Sequence, residues 1–291
     1  MKTNELINKI KSDPSTIDQL LYPGKQLADF EIKNLKIDVM PSGFSGLDNS
    51  MVLKKNRGEF VIIGARPGIG KSGLGFQIAA NVSKKHKVHI FSLEMDHESV
   101  AARQMANIMN SSLSDIQNGE AESDEGEKAK ARMEEYNVVI DDRAALNVYQ
   151  ICDAARMQNK KSKTSLIVID YIQIIQTEKT DNRAVAISKI SWELKSLAKE
   201  LRIPVIALSQ LNRQSEFREG GKPQLSDLKE SGALEQDADV VLLIHRPEDI
   251  PQSATIIVAK NRNGPTGEVL MQFSPKQCRF FDAKGYSNEL D

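Results

Sequence analysis

The chain has 291 residues and sets 39 Lys+Arg against 40 Asp+Glu, a formal net charge of −1. That balance excludes a polybasic nucleic-acid protein and an acidic tail protein alike, so any anion binding must be local. With 40% hydrophobic and 27% charged residues, 17 Gly and 10 Pro, the composition is that of a globular chain able to bury a core.

Residues 1–38 read as an amphipathic helical arm or linker. Pro14 and Pro23-Gly24 break it, and charges interleave with Leu6, Ile7 and Ile10, so there is no apolar core of a signal peptide. From Pro41 onward short β-branched runs alternate with helix-length segments: EFVIIG (59–64), KVHIFS (87–92), NVVID (137–141), SLIVID (165–170), PVIALS (204–209), DVVLLIH (239–245) and ATIIVAK (254–260). Continuous apolar strands separated by helices predict an α/β fold, a mostly parallel sheet covered on both faces. A last pair of runs, around Val269–Phe273 and Cys278–Phe281, joins through Ser274-Pro275 and is expected to close the chain as an antiparallel hairpin. The acidic stretch 120–135, which also carries Lys128, Lys130 and Arg132, reads as a solvated surface helix. The longest aliphatic run, Val240–Ile244, is far too short to span a bilayer, so the expectation is a soluble, cytoplasmic protein with no membrane partner. Cys152 and Cys278 have neither a CxxC partner nor clustered histidines and are expected to be reduced, buried thiols. His86, His89, His97 and His245 lack metal-ligand spacing and are read as structural or surface residues.

The chemistry concentrates after the first strand. Ala65-Arg66-Pro67-Gly68-Ile69-Gly70-Lys71-Ser72 is a Walker A loop in which Ala65 replaces the first glycine. A bare GK[ST] tripeptide is weak, but here an apolar strand precedes it and a helical run follows. Gly68 and Gly70 therefore fall at a strand-to-helix turn, where backbone N–H groups can surround the phosphates of ATP. Lys71 would pair with the β- and γ-phosphates and the Ser72 hydroxyl would ligate Mg²⁺. Asp170 ends the apolar strand LIVID, where an unmatched carboxylate is costly unless a cation such as Mg²⁺ meets it. Tyr171 follows where a second acid would serve as base. Glu94, just past KVHIFS, is the alternative: if that strand neighbours the Walker A strand, Glu94 can reach a water in line with the γ-phosphate.

With these pieces, ARPGIGKS, FSLEM, LIVIDYIQ, PVIALSQLNR, DLKESGALEQDADVVLLIHR and AKNRNGPTGEV resemble, in order and spacing, the hexameric replicative DNA helicases of the bacterial DnaB type, from about Val39 to the C-terminus. The resemblance implies a RecA-like motor over 39–291, a ring of subunits with ATP between neighbours, and single-stranded DNA threading the ring. It implies Gln210 as γ-phosphate sensor, and Lys260 and Arg262 as a basic pair completing the neighbour's site, Arg262 being the finger. It implies DNA contacts from Lys229, Glu230 and Gly232. The flanking loop offers Arg213, Arg218 and Lys222 with one aromatic, Phe217, which suits phosphate tracking over base stacking. The family's N-terminal collar has no counterpart in the short stretch before the motor. The expectation is therefore a phage or mobile-element form, or dependence on a separate loader or primase. Two other readings compete: a recombinase-like, DNA-dependent ATPase that does not unwind, and a module that enters or blocks a host helicase ring. The full catalytic set argues against the latter.

Overall fold

The computed structural model describes residues 38–50, 52–177, 182–213, 215, 218–228 and 232–283; the arm expected over 1–38 lies almost wholly outside them. In chain order the elements are α1 (Ser45–Asn49), β1 (Phe60–Ala65), α2 (Lys71–Ser83), β2 (Val88–Ser92), α3 (His97–Met109), α4 (Leu113–Gln117), α5 (Asp124–Glu134) and β3 (Val138–Asp141). Next come α6 (Val148–Lys161), β4 (Leu166–Asp170), α7 (Arg183–Leu201), β5 (Val205–Gln210), α8 (Gly232–Asp237), β6 (Val240–His245), β7 (Ser253–Asn261), β8 (Gly267–Ser274) and β9 (Arg279–Asp282). Each apolar run read from the sequence is a strand within one or two residues of its expected ends.

The nine strands form one sheet in the order β3-β2-β4-β5-β1-β6-β7-β8-β9. Strands β1 to β6 are parallel, and β7, β8 and β9 each pair antiparallel with their predecessor. The antiparallel part is thus longer than the expected hairpin, since the chain already reverses at β7. Every residue of β1, β2, β4 and β6 is buried, because side chains alternate between two cores. Val61, Ile63, Val168, Leu208 and Leu242 pack with Leu74, Phe76 and Ile78 of α2 on one face. Phe60, Ile62, Ile167, Ile169 and Leu243 pack with Ile151 of α6, Leu194 of α7 and Leu234 of α8 on the other. Helix α5 is the expected surface element, capped by Ser123 and burying only Gly126 and Ala129.

One expectation fails on topology. Strand β2 does not neighbour β1, because β4 and β5 lie between them. Helix α2 follows β1, packs across the sheet against β4 and β5, and delivers the chain beyond both.

Lys54 and Glu59, each almost wholly buried, bracket the entry to β1. Lys54 Nζ lies 3.1 and 3.4 Å from the two Glu59 oxygens, and Asn263 Nδ2 donates to Glu59 Oε1 at 3.2 Å. Removing one partner of such a pair strands a buried charge. Lys54→Met is expected to cost about 3 kcal/mol of unfolding free energy, read from the midpoint of a urea melt. A loss below about 1 kcal/mol would mean that Asn263 alone satisfies the carboxylate.

Candidate nucleotide-binding site

Parallel strands end together, and that is what assembles the site. Ala65 stands opposite Gln210 in the β1–β5 ladder, and Ser92 opposite Asp170 in the β2–β4 ladder. The carboxyl tips of four strands therefore present the Walker A loop, Gln210, Asp170 and Glu94 to one crevice, the place where open α/β sheets bind ligands. Leu93 N–H donates to Asp170 O at 2.9 Å, so the exit of β2 leans on β4 and carries Glu94 inward. This route brings Glu94 to the site without adjacency to β1.

The loop itself is built on left-handed glycines. Gly68 has φ +75° and Gly70 φ +110°, a region that costs L side chains strain. A Cβ on Gly70 would meet the Phe280 ring at 2.9 Å. Gly70 caps α2 with no side chain, so the first N–H groups of that helix are left to an anion. Arg66, Pro67, Gly68, Gly70, Lys71, Ser72, Glu94, Arg103, Tyr171, Gln210 and Cys278 are among the residues lining a cavity of about 570 Å³. Ile69 lines an adjoining cavity on the far side of the loop, with Arg66 and Pro67. The Arg66 guanidinium is partly committed elsewhere, donating to Leu211 O at 2.8 Å.

Asp170 is fully buried, and neither of its carboxylate oxygens has a hydrogen-bond partner. Lys71 Nζ lies 3.5 Å from Asp170 Oδ1 and 3.5 Å from the Tyr171 ring centroid, a cation–π seat. Burial pushes the Asp170 carboxyl above the usual carboxylate range, with the nearby Lys71 charge opposing. Burial likewise lowers Lys71, against the pull of Asp170 and Glu94. A buried carboxylate with both oxygens unsatisfied, beside a hydroxyl at a helix start, fits a hard divalent cation, which takes one or two carboxylates together with phosphate oxygens.

Several neighbours escaped the sequence reading. Gln173 Oε1 accepts from Gln210 N–H at 3.1 Å, and Gln173 Nε2 donates to Ser209 Oγ at 2.9 Å, which fixes the tip of β5. Arg246 NH1 donates to Gly68 O at 3.4 Å and Ile69 O at 3.3 Å, with its guanidinium carbon 3.8 Å from the Phe273 centroid, so it buttresses the loop from behind. Arg103 reaches the cavity from α3. Gln173 and Arg246 close two of the family-like stretches and Arg103 lies outside them, but nothing local gives any of the three a role, since each acts through the fold.

Lys260 and Arg262 come together with each other but not with Lys71. Asn261 pairs with Val240 and Val240 parallels Val61, so the pair sits at the amino end of the parallel strands. Four residues of strand, roughly 13 Å at ~3.3 Å per residue, separate the level of Val61 from that of Ala65. Lys260 Nζ donates to Glu235 O and Gln236 O, and Arg262 NH2 to Gln236 O. Both acceptors close α8, the helix that Gly232 opens.

Arg213 and Gly232 are exposed, whereas Lys229, Glu230 and Phe217 lie outside the described residues. The expected positive track is reduced. Arg218 grips buried Asp227 at 2.6 and 2.7 Å, holding that carboxyl well below its usual range, and Lys222 pairs with Glu268 at 2.9 Å. The carboxylates of the fold take up these cations because they lie within reach of the same loop.

A strand, a glycine loop and a helix start, with a buried aspartate on another parallel strand, define a P-loop nucleotide-binding domain of the RecA-like type. Residues 39–282 match the family model described as DnaB-like helicase C terminal domain, and the chain belongs to that family. It is 37% identical over 265 residues to the replicative DNA helicase DnaC of Bacillus subtilis, covering 86% of this chain and 58% of that protein. It is 37% identical over 272 residues to a probable plasmid replicative DNA helicase of Chlamydia trachomatis, covering 91% and 60%. The chain thus spans about three fifths of these relatives. Among solved structures it is similar to one described as an ATPase domain, with TM-score 0.77, 33% identity, and 94% of this chain and 98% of that one covered. It is also similar to a DnaB-like replicative helicase described with its interactions with primase, at TM-score 0.78 and 30% identity, covering 96% and 73%. Among the described residues no helix is long and apolar enough to cross a membrane.

The two cysteines part company. Cys152 is buried, as expected, and burial pushes its thiol up to about 12. Cys278 is half-buried and lines the nucleotide cavity, contrary to expectation, because the β8–β9 turn leans over the Walker A loop. With a thiol reagent at neutral pH, one equivalent should react in the native protein, at Cys278, and ATP should slow it. Peptide mapping checks this, and fast native labelling of Cys152 would contradict the packing.

Proposed function

We propose that residues 39–291 are the motor of a ring-forming, ATP-driven DNA helicase that moves on single-stranded DNA and separates duplex, with residues 1–38 as an arm. The carrying observation is a division of labour across the sheet: Lys71, Asp170, Glu94 and Gln210 meet at one end, while Lys260 and Arg262 sit at the other. Within one subunit that pair is at the wrong end to serve its own nucleotide. That placement supports a reading in which the guanidinium serves a nucleotide bound by a neighbour, and family resemblance supplies the closed ring of six subunits.

In this reading the Walker A amides of 66–72 and Lys71 bind the ATP phosphates. Mg²⁺, held by Ser72 and Asp170, would neutralise charge on the β- and γ-phosphate oxygens. Glu94 accepts a proton from the attacking water, and Gln210, fixed by Gln173, senses the γ-phosphate. Arg262 meets charge developing on the γ-phosphate of the neighbouring subunit. Arg213, Lys229, Glu230 and Gly232 contact the DNA strand, and a replication partner such as a loader or primase acts on the ring. A cytoplasmic setting, in a bacterium or a phage-infected host, follows from this role.

Arg262→Ala should lower DNA-stimulated ATP hydrolysis by about 10³-fold or more, roughly 4 kcal/mol, the low end for an arginine finger. Mixed with Lys71→Ala subunits it should regain activity, since each variant keeps the part the other lacks. No recovery at any mixing ratio would argue against a shared site. On a forked substrate the wild type should separate strands and Glu94→Gln should not. A wild type that hydrolyses ATP with single-stranded DNA yet never unwinds would hand the case to a recombinase-like ATPase.

A further inference from the structure

We infer that Asp239 is a positioning residue for Arg262, acting together with the carboxyl end of α8; the inference rests on the shared-site reading above. Asp239 precedes β6 with its side chain only 8% exposed. One oxygen, Oδ2, accepts Phe60 N–H at 2.8 Å and takes the Lys195 ammonium. These two donors tie the residue into the fold. The other, Oδ1, is turned to Arg262, with NH1 at 3.4 Å, and the main-chain oxygen of Asp239 accepts Arg262 N–H at 2.9 Å. A second edge of the guanidinium rests on Gln236 O. The last carbonyls of a helix have no partner within it and carry partial negative charge, so they suit the two cations of this pair.

The seat is anchored from behind. Ser191 Oγ on α7 donates to Asp237 Oδ2 at 2.6 Å, and Leu234 is fully buried beneath α8. A free arginine side chain has rotamer entropy that would have to be lost at the moment of catalysis. Here one side of the guanidinium is already held while the Arg262 side chain remains 48% exposed, so its other donors can face an approaching phosphate. Preorganisation of this kind lowers the barrier without requiring new contacts in the transition state. Lys195 shares the Asp239 charge, so the carboxylate can orient Arg262 without having to neutralise it alone.

The test uses the full chain with saturating single-stranded DNA. Asp239→Asn keeps an acceptor for Phe60 N–H but removes the charge. It should lower kcat for ATP by tenfold to about a hundredfold, the scale of an ångström-sized misplacement, with KM unchanged. Mixed with Lys71→Ala subunits, whose own finger is intact, it should recover; mixed with Arg262→Ala subunits it should not. Ser191→Ala, which loosens the end of α8 and leaves the core in place, should show the same pattern with a smaller loss. A folded Asp239→Asn protein with wild-type kcat overturns the inference. So does a loss that persists with Lys71→Ala subunits while Arg262→Ala is rescued by them, since that marks a general structural defect. Should Asp239→Asn lack a cooperative melt, Ser191→Ala decides, and wild-type kcat for it overturns the inference. If Arg262→Ala itself is not rescued, the shared-site reading has failed first.

Discussion

The buried Asp170 carboxylate is the constraint around which the nucleotide site is arranged. Its two oxygens lack hydrogen-bond partners, and desolvating an ionised group without compensation costs several kcal/mol. Lys71 at 3.5 Å offsets part of that cost, but Lys71 is itself desolvated and leans on Tyr171 for a second contact. Left alone, the two groups are pushed toward neutrality together. Polyphosphate and a divalent cation would relieve both, giving the lysine an anion and the carboxylate a cation. Lys71 and Asp170 are thus a pair that the fold forces together and that burial holds away from water.

What forces them together is strand register. The tips of β1 and β5 are level with each other, and those of β4 and β2 are level with each other two residues lower; this stagger is fixed, because parallel ladders between fully buried strands cannot slip by one residue without turning apolar side chains to the wrong core. The two hydrophobic cores thus set the position of the polar side chains at the strand tips, to which they contribute no polar atom. The same ladders carry the level of the sheet across to β6, where Val240 marks the opposite end. Core packing and the spacing between the Walker A loop and Arg262 are in this sense one property.

Legibility followed the physics. Strand runs were readable because burial on both faces demands unbroken apolar stretches, and the Walker A loop because left-handed turns demand glycine. Asp170 and Glu94 were readable as charges at the ends of such runs. Strand order was not: nothing local tells β2 that β4 and β5 will come between it and β1, since that depends on where α2 lands. Gln173, Asp239 and Arg246 fall within the family-like stretches and Arg103 outside them, yet nothing local gives any of the four a role, for a related reason. Each is an ordinary polar residue whose importance comes from a partner distant in sequence, such as the 178 positions between Arg246 and Gly68. The fate of Arg218 and Lys222 was equally hidden, because their partners Asp227 and Glu268 are named by three-dimensional proximity alone.

The reversal at β7 explains why an otherwise parallel sheet ends antiparallel. A seventh parallel strand would have run from the amino end toward the nucleotide end, leaving the residues after it beside their own Walker A loop. Running antiparallel, β7 returns the chain to the far end, so that Lys260 and Arg262 emerge next to Val240 and Asp239. Then β8 brings it back, and Phe273 near its end and Phe280 at the start of β9 pack against the loop at Gly70. One meander thus serves both ends of the sheet. It places Lys260 and Arg262 at the end of the sheet away from the Walker A loop, and it closes the hydrophobic wall behind that loop. A chain that reversed one strand later would keep its fold class and lose this separation, so the direction of β7, more than the identity of any residue on it, sets the distance between Arg262 and the Walker A loop of the same chain.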